Sequence, residues 1–360
     1  MGLTHDADYQ SKERSVTQQD VADRAGVSRA VVSYVINNGP RTVSEETRRR
    51  VLEAIEELGY RPNRYAQGLK LRGTKQARGQ IGIVVGGTYE MLKRPYYSAI
   101  LASIYEEARQ QKQKIQFVTF FNELSDPVFF NKHIHPEEIS GLILFAPYST
   151  PHMPGIQEII ERIIQSLDNI VCLENVIEGL PVVIFDRAAA ARAAVQHLID
   201  LGHRRIAYAG GVDERLDGYR QALLENGLSY DPALVRHPGQ KNTPKEGTQA
   251  ARELIALEHP PTGIFAVSDE VAIGVLALLH DAGIRVPEDI ALVSIDDTDI
   301  ARYVRPALTT VHVPKESMGI HALRTLYAYA AYPGVQPASI VLPTELIVRE
   351  SCGARKTSSR

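Results

Sequence analysis

From Ile81 onward the chain repeats one alternation that leaves few folds open. Apolar runs recur as IGIVVGG (81–87), KIQFVTF (114–120), GLILFAP (141–147), NIVCLEN (169–175), LPVVIFD (180–186), RIAYAGG (205–211), GIFAVSD (263–269) and IALVSID (290–296). Between most of them lie amphipathic stretches of helical period, at 96–112, 188–201, 214–226, 246–257 and 270–282. Strands this continuously apolar belong to a parallel sheet covered on both faces, and strand–helix alternation supplies the crossovers. Roughly 270 residues of the pattern predict two doubly wound α/β lobes. The segments 308–313, 314–332 and 339–350 read as a strand, a helix and two more short strands that cross between the lobes. In such sheets a ligand lies beyond the carboxyl ends of the strands.

Residues 16–60 follow a different rhythm, that of three short helices. Thr17 with Asp20 three residues later forms a capping box, and Val21, Ala22 and Ala25 line one helical face. Gly26 ends that helix and permits a tight turn. Ser28 caps a second helix whose Val32, Val35 and Ile36 return to the core. A third begins at Ser44 with Glu45 and Glu46 in its first turn, buries Val51, Ile55 and Leu58, and stops at Gly59. Helix, glycine turn, helix is the arrangement that places a second helix in a DNA major groove, although a plain helical hairpin shares the pattern. Outward on the second helix stand Arg29, Ala30, Ser33, Tyr34 and Asn37. Arg29 suits guanine or a phosphate, Ala30 a thymine methyl, and Ser28, Ser33, Tyr34 and Asn37 base edges or phosphates.

Charge supports the division. Residues 1–78 carry 14 Lys and Arg against 10 Asp and Glu, whereas the remainder carries 26 against 33. A basic head on an acidic body suits a polyanionic partner for the head alone. The two cysteines, Cys172 and Cys352, are too few and too far apart for a disulfide framework, and neither lies in a zinc-like cluster. The polar first 15 residues read as a disordered leader without a signal core, and the longest apolar stretch, VAIGVLALL (271–279), is too short to span a bilayer. A cytoplasmic protein without metal, cofactor or membrane partner is expected. Enzyme signatures are missing: there is no Gly-rich phosphate loop, no GxSxG and no paired metal ligands.

The passage VTQQDVADRAGVSRAVVSYVINN, followed by VSEETRRRVLEAIEELGYRPNRYAQGL, resembles the head and hinge of the lactose-repressor (LacI/GalR) family of transcription regulators, nearly continuously over residues 16–69. The resemblance implies that Thr17, Ser28, Ser33 and Asn37 hold phosphates or cap helices, and that Arg29 and Ala30 set base preference. Tyr34 stands where the family usually has Arg, and Val31 where it has Thr. YRPNRYAQGLKLRG (60–73) resembles the family's hinge helix, with Asn63, Ala66 and Leu69 on its minor-groove face. Paired across a dimer, such helices wedge a leucine into the central base step, here Leu69. A helix this short is marginal alone, and Gly68 weakens it further, so it is expected to order only on DNA; a plain linker is the alternative.

The body, about residues 80–350, resembles the same family's effector domain, which has the periplasmic-binding-protein fold. Its anchors are HLIDLGHRRIAYAGG (197–211), RLDGYRQAL (215–223), GIFAVSDEVAIGVLALL (263–279) and VSIDDTDIARYVRPALTTVHVP (293–314). The resemblance implies a leader at 1–15, a head at 16–60, a hinge and linker at 61–79, and a loose tail at 351–360. It divides the body into an N-lobe of about 80–185 and 313–337 and a C-lobe of about 186–312 and 338–350. By position, Arg215, Ser268, Asp269 and Asp296 match effector-binding residues, with Ser268 replacing the usual Asn. Glu174 ends another strand, and Tyr89, Tyr96 and Tyr97 fall where an aromatic wall is common. Carboxylate and guanidinium groups at strand ends suit a sugar or sugar derivative. An ion pair between Arg215 and Asp296, and a helix-capping role for Asp269, are the structural alternatives. The expected partners are a palindromic double-stranded operator, a small-molecule effector and a second copy of the chain. A repressor controlled by its effector is the expected function; a transporter's solute-binding protein shares the body but not the head.

Overall fold

The computed structural model describes residues 16–37, 43–61, 80–148, 155–331 and 336–354. The chain divides into two compact units, one of residues 1–85, 113–142 and 153–169, the other of residues 86–112, 143–152 and 170–360. The hinge positions Asn63, Ala66 and Leu69 lie outside the described residues, as does the leader.

In the first unit, α1 (Gln18–Ala25) starts where its capping box predicts: Thr17 Oγ1 accepts from the Asp20 amide at 3.3 Å and Asp20 Oδ2 accepts from the Thr17 amide at 2.7 Å. Gly26 ends it in the left-handed region (φ 64°), which a side chain would make costly. Ser28 then caps α2 (Arg29–Asn37), its Oγ accepting from the Val31 amide at 3.4 Å, and Ser44 caps α3 (Glu45–Leu58). The three helices close on Val21, Ala22, Ala25, Val32, Val35, Val51, Ala54, Ile55 and Tyr60. Ile36 and Leu58, expected inside, are only half-buried against this core.

Two six-stranded sheets form the body. One has the order β11-β5-β4-β3-β1-β2 and the other β12-β10-β9-β8-β6-β7. In the first, the strands are β1 (Gln80–Val85), β2 (Lys114–Phe120), β3 (Gly141–Phe145), β4 (Ile170–Leu173), β5 (Val182–Phe185) and β11 (Ser339–Leu342). In the second they are β6 (Ile206–Ala209), β7 (Val235–Arg236), β8 (Gly263–Ala266), β9 (Ala291–Asp296), β10 (Thr309–His312) and β12 (Glu345–Ile347). Neighbours β1 and β2, β4 and β5, and β5 and β11 run parallel in the first, and in the second only β12 turns antiparallel, against β10. β3, β4, β6, β8 and β9 are buried at every position, as the apolar runs require.

The helices α4 (Pro95–Gln110), α7 (Arg187–Asp200), α8 (Glu214–Glu225), α9 (Pro244–Ile255), α10 (Asp269–Asp281) and α11 (Lys315–Ala331) start and stop within a few residues of their expected bounds. Two helices were not anticipated, α5 (Pro127–His133) and α6 (Ile156–Ser166). The latter buries Ile159, Ile160 and Ile163 at a spacing readable in the sequence. Several strands end two or three residues before the apolar runs do. There the chain turns through positive φ, at Gly87 (80°), Ala146 (48°), Glu174 (81°) and Gly210 (129°). The polar residues at the ends of the runs therefore leave the sheet.

Candidate DNA-reading face and ligand cleft

On α2 the positions 30, 33, 34 and 37 share one side through their three- and four-residue spacing, with Arg29 beside them and Ser28 at the cap. Ser28, Arg29, Ala30 and Asn37 are exposed, and Ser33 and Tyr34 half-buried. Arg29 Nε donates to Gln18 Oε1 at 3.3 Å, which ties the start of α2 to α1. Asn37 Nδ2 donates back to the Ser33 carbonyl at 3.0 Å, holding its amide along the helix. Thr17 and Ser28 spend their hydroxyls as caps, one of the two roles expected of them. The amides at the start of α2, beside Arg29, make a ready anion site.

In the second unit the carboxyl ends of the strands collect most of the remaining expected residues. Tyr96 and Tyr97 stand in the first turn of α4, Glu174 follows β4, Arg215 opens α8, Ser268 and Asp269 follow β8, and Asp296 ends β9. Tyr96 and Tyr97 pack edge-to-face with centroids 5.2 Å apart, and Tyr97 also meets Phe145 at 5.6 Å. Tyr96 donates its hydroxyl to Glu174 Oε1, and Arg187 donates to Glu174 Oε2. Burial and then the Glu174 charge push the Tyr97 phenol up to about 12, and the same two causes raise Tyr96.

Arg215 is held by Asp213, whose Oδ1 accepts from its Nε at 2.9 Å, and by the Val267 carbonyl, which accepts from Nη1 at 2.7 Å. The anticipated alternative, an ion pair between Arg215 and Asp296, does not form; Asp213 takes that place. Asp296 is only 7% exposed, and among the described residues no hydrogen bond reaches its carboxylate. Its carboxyl is raised well above the ordinary range, by desolvation first and Asp269 second, against the pull of Arg215, Lys315 and Arg94. Asp296 (φ 122°) and Glu174 (φ 81°) also adopt positive φ, a cost of about 1–3 kcal/mol each that clusters where function resides.

Two expectations need correction. Asp269 is fully buried and accepts from Ser294 Oγ (2.6 Å), the Thr298 amide (2.6 Å), Thr298 Oγ1 (2.8 Å) and Thr310 Oγ1 (2.7 Å). Its acceptor capacity is spent inside the protein, so it braces β9, β10 and the following loop instead of meeting a ligand. Nor does it cap α10: Ser268 does, its Oγ accepting from the Val271 amide at 3.3 Å. Tyr89 is 62% exposed on the turn after β1, with Lys93 Nζ 4.7 Å from its ring centroid, and is not part of the buried group.

Three residues that sequence reasoning passed over complete the site. Arg187 bonds Glu174. Lys315 is buried with its ammonium on the carbonyls of Asp296 (2.5 Å), Val313 (3.1 Å) and Asp297 (3.2 Å). Arg94 spreads its guanidinium over Glu270 (2.6 Å), the Lys241 carbonyl (2.9 Å) and the Asn242 carbonyl (3.1 Å). Arg187 and Lys315 directly follow or nearly follow strands, a signal that could have exposed them. Arg94 adjoins the Pro-Tyr-Tyr segment but has its partners some 150 positions away, which no local pattern reveals.

Three acid–base pairs stand around Asp296. Glu174 is answered by Arg187, Asp213 by Arg215 and Glu270 by Arg94, while Asp296 stands without a donor among the described residues. A group bearing several hydroxyl or amine donors would complete it.

Comparison with known proteins agrees with both halves. A family model described as bacterial regulatory proteins, lacI family, matches residues 17–63, and one described as a periplasmic binding protein-like domain matches residues 195–352. The chain is 33% identical over 357 residues to the HTH-type transcriptional regulator CelR of Thermobifida fusca, covering 94% of this chain and 99% of CelR. A solved CelR–cellobiose complex is 30% identical, covers 93% of this chain and 99% of its own, and superposes with a TM-score of 0.68. A lac repressor dimer bound to operator and the anti-inducer ONPF is 26% identical over 94% of this chain and 99% of its own, with a TM-score of 0.65. No helix among the described residues is long and apolar enough to cross a membrane.

Proposed function

The chain belongs to the LacI family of bacterial regulatory proteins, a transcription regulator and not an enzyme, and from that premise we propose that it is a homodimeric repressor released from or driven onto a palindromic operator by a sugar-like effector. We assign the reading head to residues 16–60, the hinge and linker to 61–79 and the effector body to 80–350. In this reading Arg29 and Ala30 choose the base, while Thr17, Ser28, Ser33, Tyr34 and Asn37 fit α2 to the backbone and groove. Asn63, Ala66 and Leu69 form the minor-groove face of the hinge, where Leu69 unstacks the central step.

The observation that carries the effector half is the buried Asp296 carboxylate with no protein donor. Its oxygens, open acceptors at a strand end, are positioned to take hydroxyl donors from a ligand in place of water. Arg215 and Tyr96 lie close enough to act on its charge, Ser268 follows the neighbouring β8, and Tyr96 and Tyr97 offer apolar faces to a pyranose ring. The cellobiose found with CelR favours a neutral saccharide. Effector binding changes the geometry of the body, and the hinge helices' ordering converts that change into operator affinity.

The test is a gel shift with palindromes from the protein's own promoter region, with and without neutral mono- and disaccharides, at two salt concentrations. A shift that one saccharide weakens or strengthens is the expected result. No shift with any palindrome removes the DNA reading. A shift that no saccharide alters, together with no thermal stabilisation by any of them, removes the effector reading.

A further inference from the structure

Within the first unit the head is fastened through a side that α2 does not share. Arg61, the first residue of the hinge and linker segment and directly beyond the head, donates from Nη1 to Glu137 Oε2 at 2.7 Å, from Nη2 to Glu138 Oε1 at 3.2 Å and from Nε to the Asn131 carbonyl at 3.0 Å. His135 Nδ1 lies 2.7 Å from the same guanidinium. In return Asn131 Nδ2 donates to the carbonyls of Ile55 and Tyr60, both at 3.4 Å, the first of which also accepts from the Tyr60 amide at 3.0 Å. Arg162 on α6 pairs with Glu56 at 3.0 Å while lying 4.2 Å from the Phe130 ring centroid. Val128 of α5 packs against the apolar core of the head. Meanwhile Ser28, Arg29, Ala30 and Asn37 on α2 remain exposed.

We infer that the surface made by α5, the turn at 134–139 and α6 is a docking site for the head of the same chain, and that Arg61 is its clasp. The clasp fixes the orientation of α2 on the body by a route other than the hinge helix. The argument is one of geometry and charge. A guanidinium that is 22% exposed meets two carboxylates and a carbonyl in its fork; the Glu138 bond is partly shielded, while Glu137, 66% exposed, is open to screening by salt. The contacts come from both sides, with a body amide serving carbonyls of the head and a head guanidinium serving acids of the body. Apolar packing at Val128 continues between them. Fixing a reading element before it meets its target removes orientational freedom that binding would otherwise have to remove, so a docked head binds its operator more tightly than a free one.

The inference rests on the DNA-reading function proposed above, and the experiment separates the two. Operator and non-specific duplex affinities are measured for the full chain, for Glu137→Gln/Glu138→Gln, and for the same pair with Asn131→Ala. Removing two acids raises the local positive potential and by itself strengthens binding to any duplex. Undocking instead lowers operator affinity, by about 5- to 10-fold, the ordinary size of a coupling between sites. The expected result is that loss, with non-specific affinity not reduced and melting of the body unchanged. Wild-type protein that binds no palindrome condemns the DNA reading. Wild-type binding with variants within twofold of it, or tighter, overturns the clasp. A second measurement needs no DNA. The two native cysteines are buried, so spin labels go onto Arg50→Cys and Lys114→Cys, both exposed. A narrow distance distribution that broadens in Glu137→Gln/Glu138→Gln supports docking; a broad distribution in the otherwise wild-type chain overturns it.

Discussion

In the reading head the polar side chains of interest point outward from a core of nine residues, while in the cleft they are buried and bonded to one another. Arg29 and Ala30 owe their position to helical spacing and two caps, whatever the rest of the chain does. Glu174 and Arg215 owe theirs in part to partners distant in the chain, Arg187 with Tyr96 and the Val267 carbonyl. A surface reader can change one residue and alter one contact. A buried network changes as a whole, because removing one member leaves the others unsatisfied.

The sharpest way to break this contrast is Asp296→Asn. Effector affinity is expected to fall about 100-fold, equivalent to ~3 kcal/mol for lost charge-assisted bonds, while operator affinity without effector stays within twofold. Calorimetry with the saccharide found in the screen checks it. The same variant should melt higher than wild type when unliganded, because a buried unpartnered acid is gone. The pH dependence has a definite sign. A carboxyl raised in the folded state contributes stability below the unfolded value near 4 and loses it as pH rises through the folded value. The melting advantage of Asp296→Asn should thus be small near pH 4 and grow toward neutrality; a constant difference would contradict the burial argument.

Next in size is Leu69→Ala, expected to weaken specific operator binding about 10- to 30-fold while leaving effector affinity and non-specific binding alone. Fluorescence anisotropy on operator and scrambled duplexes separates these. Equal loss on both duplexes would make Leu69 an ordinary linker residue. Glu270→Gln loosens the Arg94 fork and should weaken effector binding several-fold, mostly through faster release, since Arg94 stays held by two carbonyls. Stopped-flow release rates test that. The smallest effect is Thr17→Ala, which removes the capping box and should destabilise the head by about 1 kcal/mol, read as a lower melting point for the head's amides in NMR. If it also cuts operator affinity more than that accounts for, Thr17 touches phosphate as well as capping.

Legibility followed the same line as the contrast. The capping box at Thr17, the turn at Gly26 and the apolar stripe through Val21, Val32 and Val51 were readable because their partners lie within a few residues. The strands were readable from their apolar runs, although their ends were not. Glu174 and Asn175 read as the end of β4, yet the chain leaves the sheet there at positive φ and turns Glu174 toward Arg187 and Tyr96. Tyr89 and Asp269 were misjudged for related reasons. Nothing local says that a tyrosine seven residues before another will face solvent, or that three hydroxyl residues from 294 to 310 will saturate one carboxylate.

By itself the amino-acid order determined that this chain carries a three-helix head and two parallel α/β lobes, because periodicity, caps and glycine stops act over one or two turns. Tertiary structure alone decided which acid near these strand ends has no protein hydrogen bond to its carboxylate among the described residues. Arg94 reaches residues 241, 242 and 270, and Asp269 gathers donors from 294, 298 and 310. Most of the other carboxylates there are answered by partners that only folding brings near, Asp213 with Arg215 two residues on being the local exception, and Asp296 is what those pairings leave over.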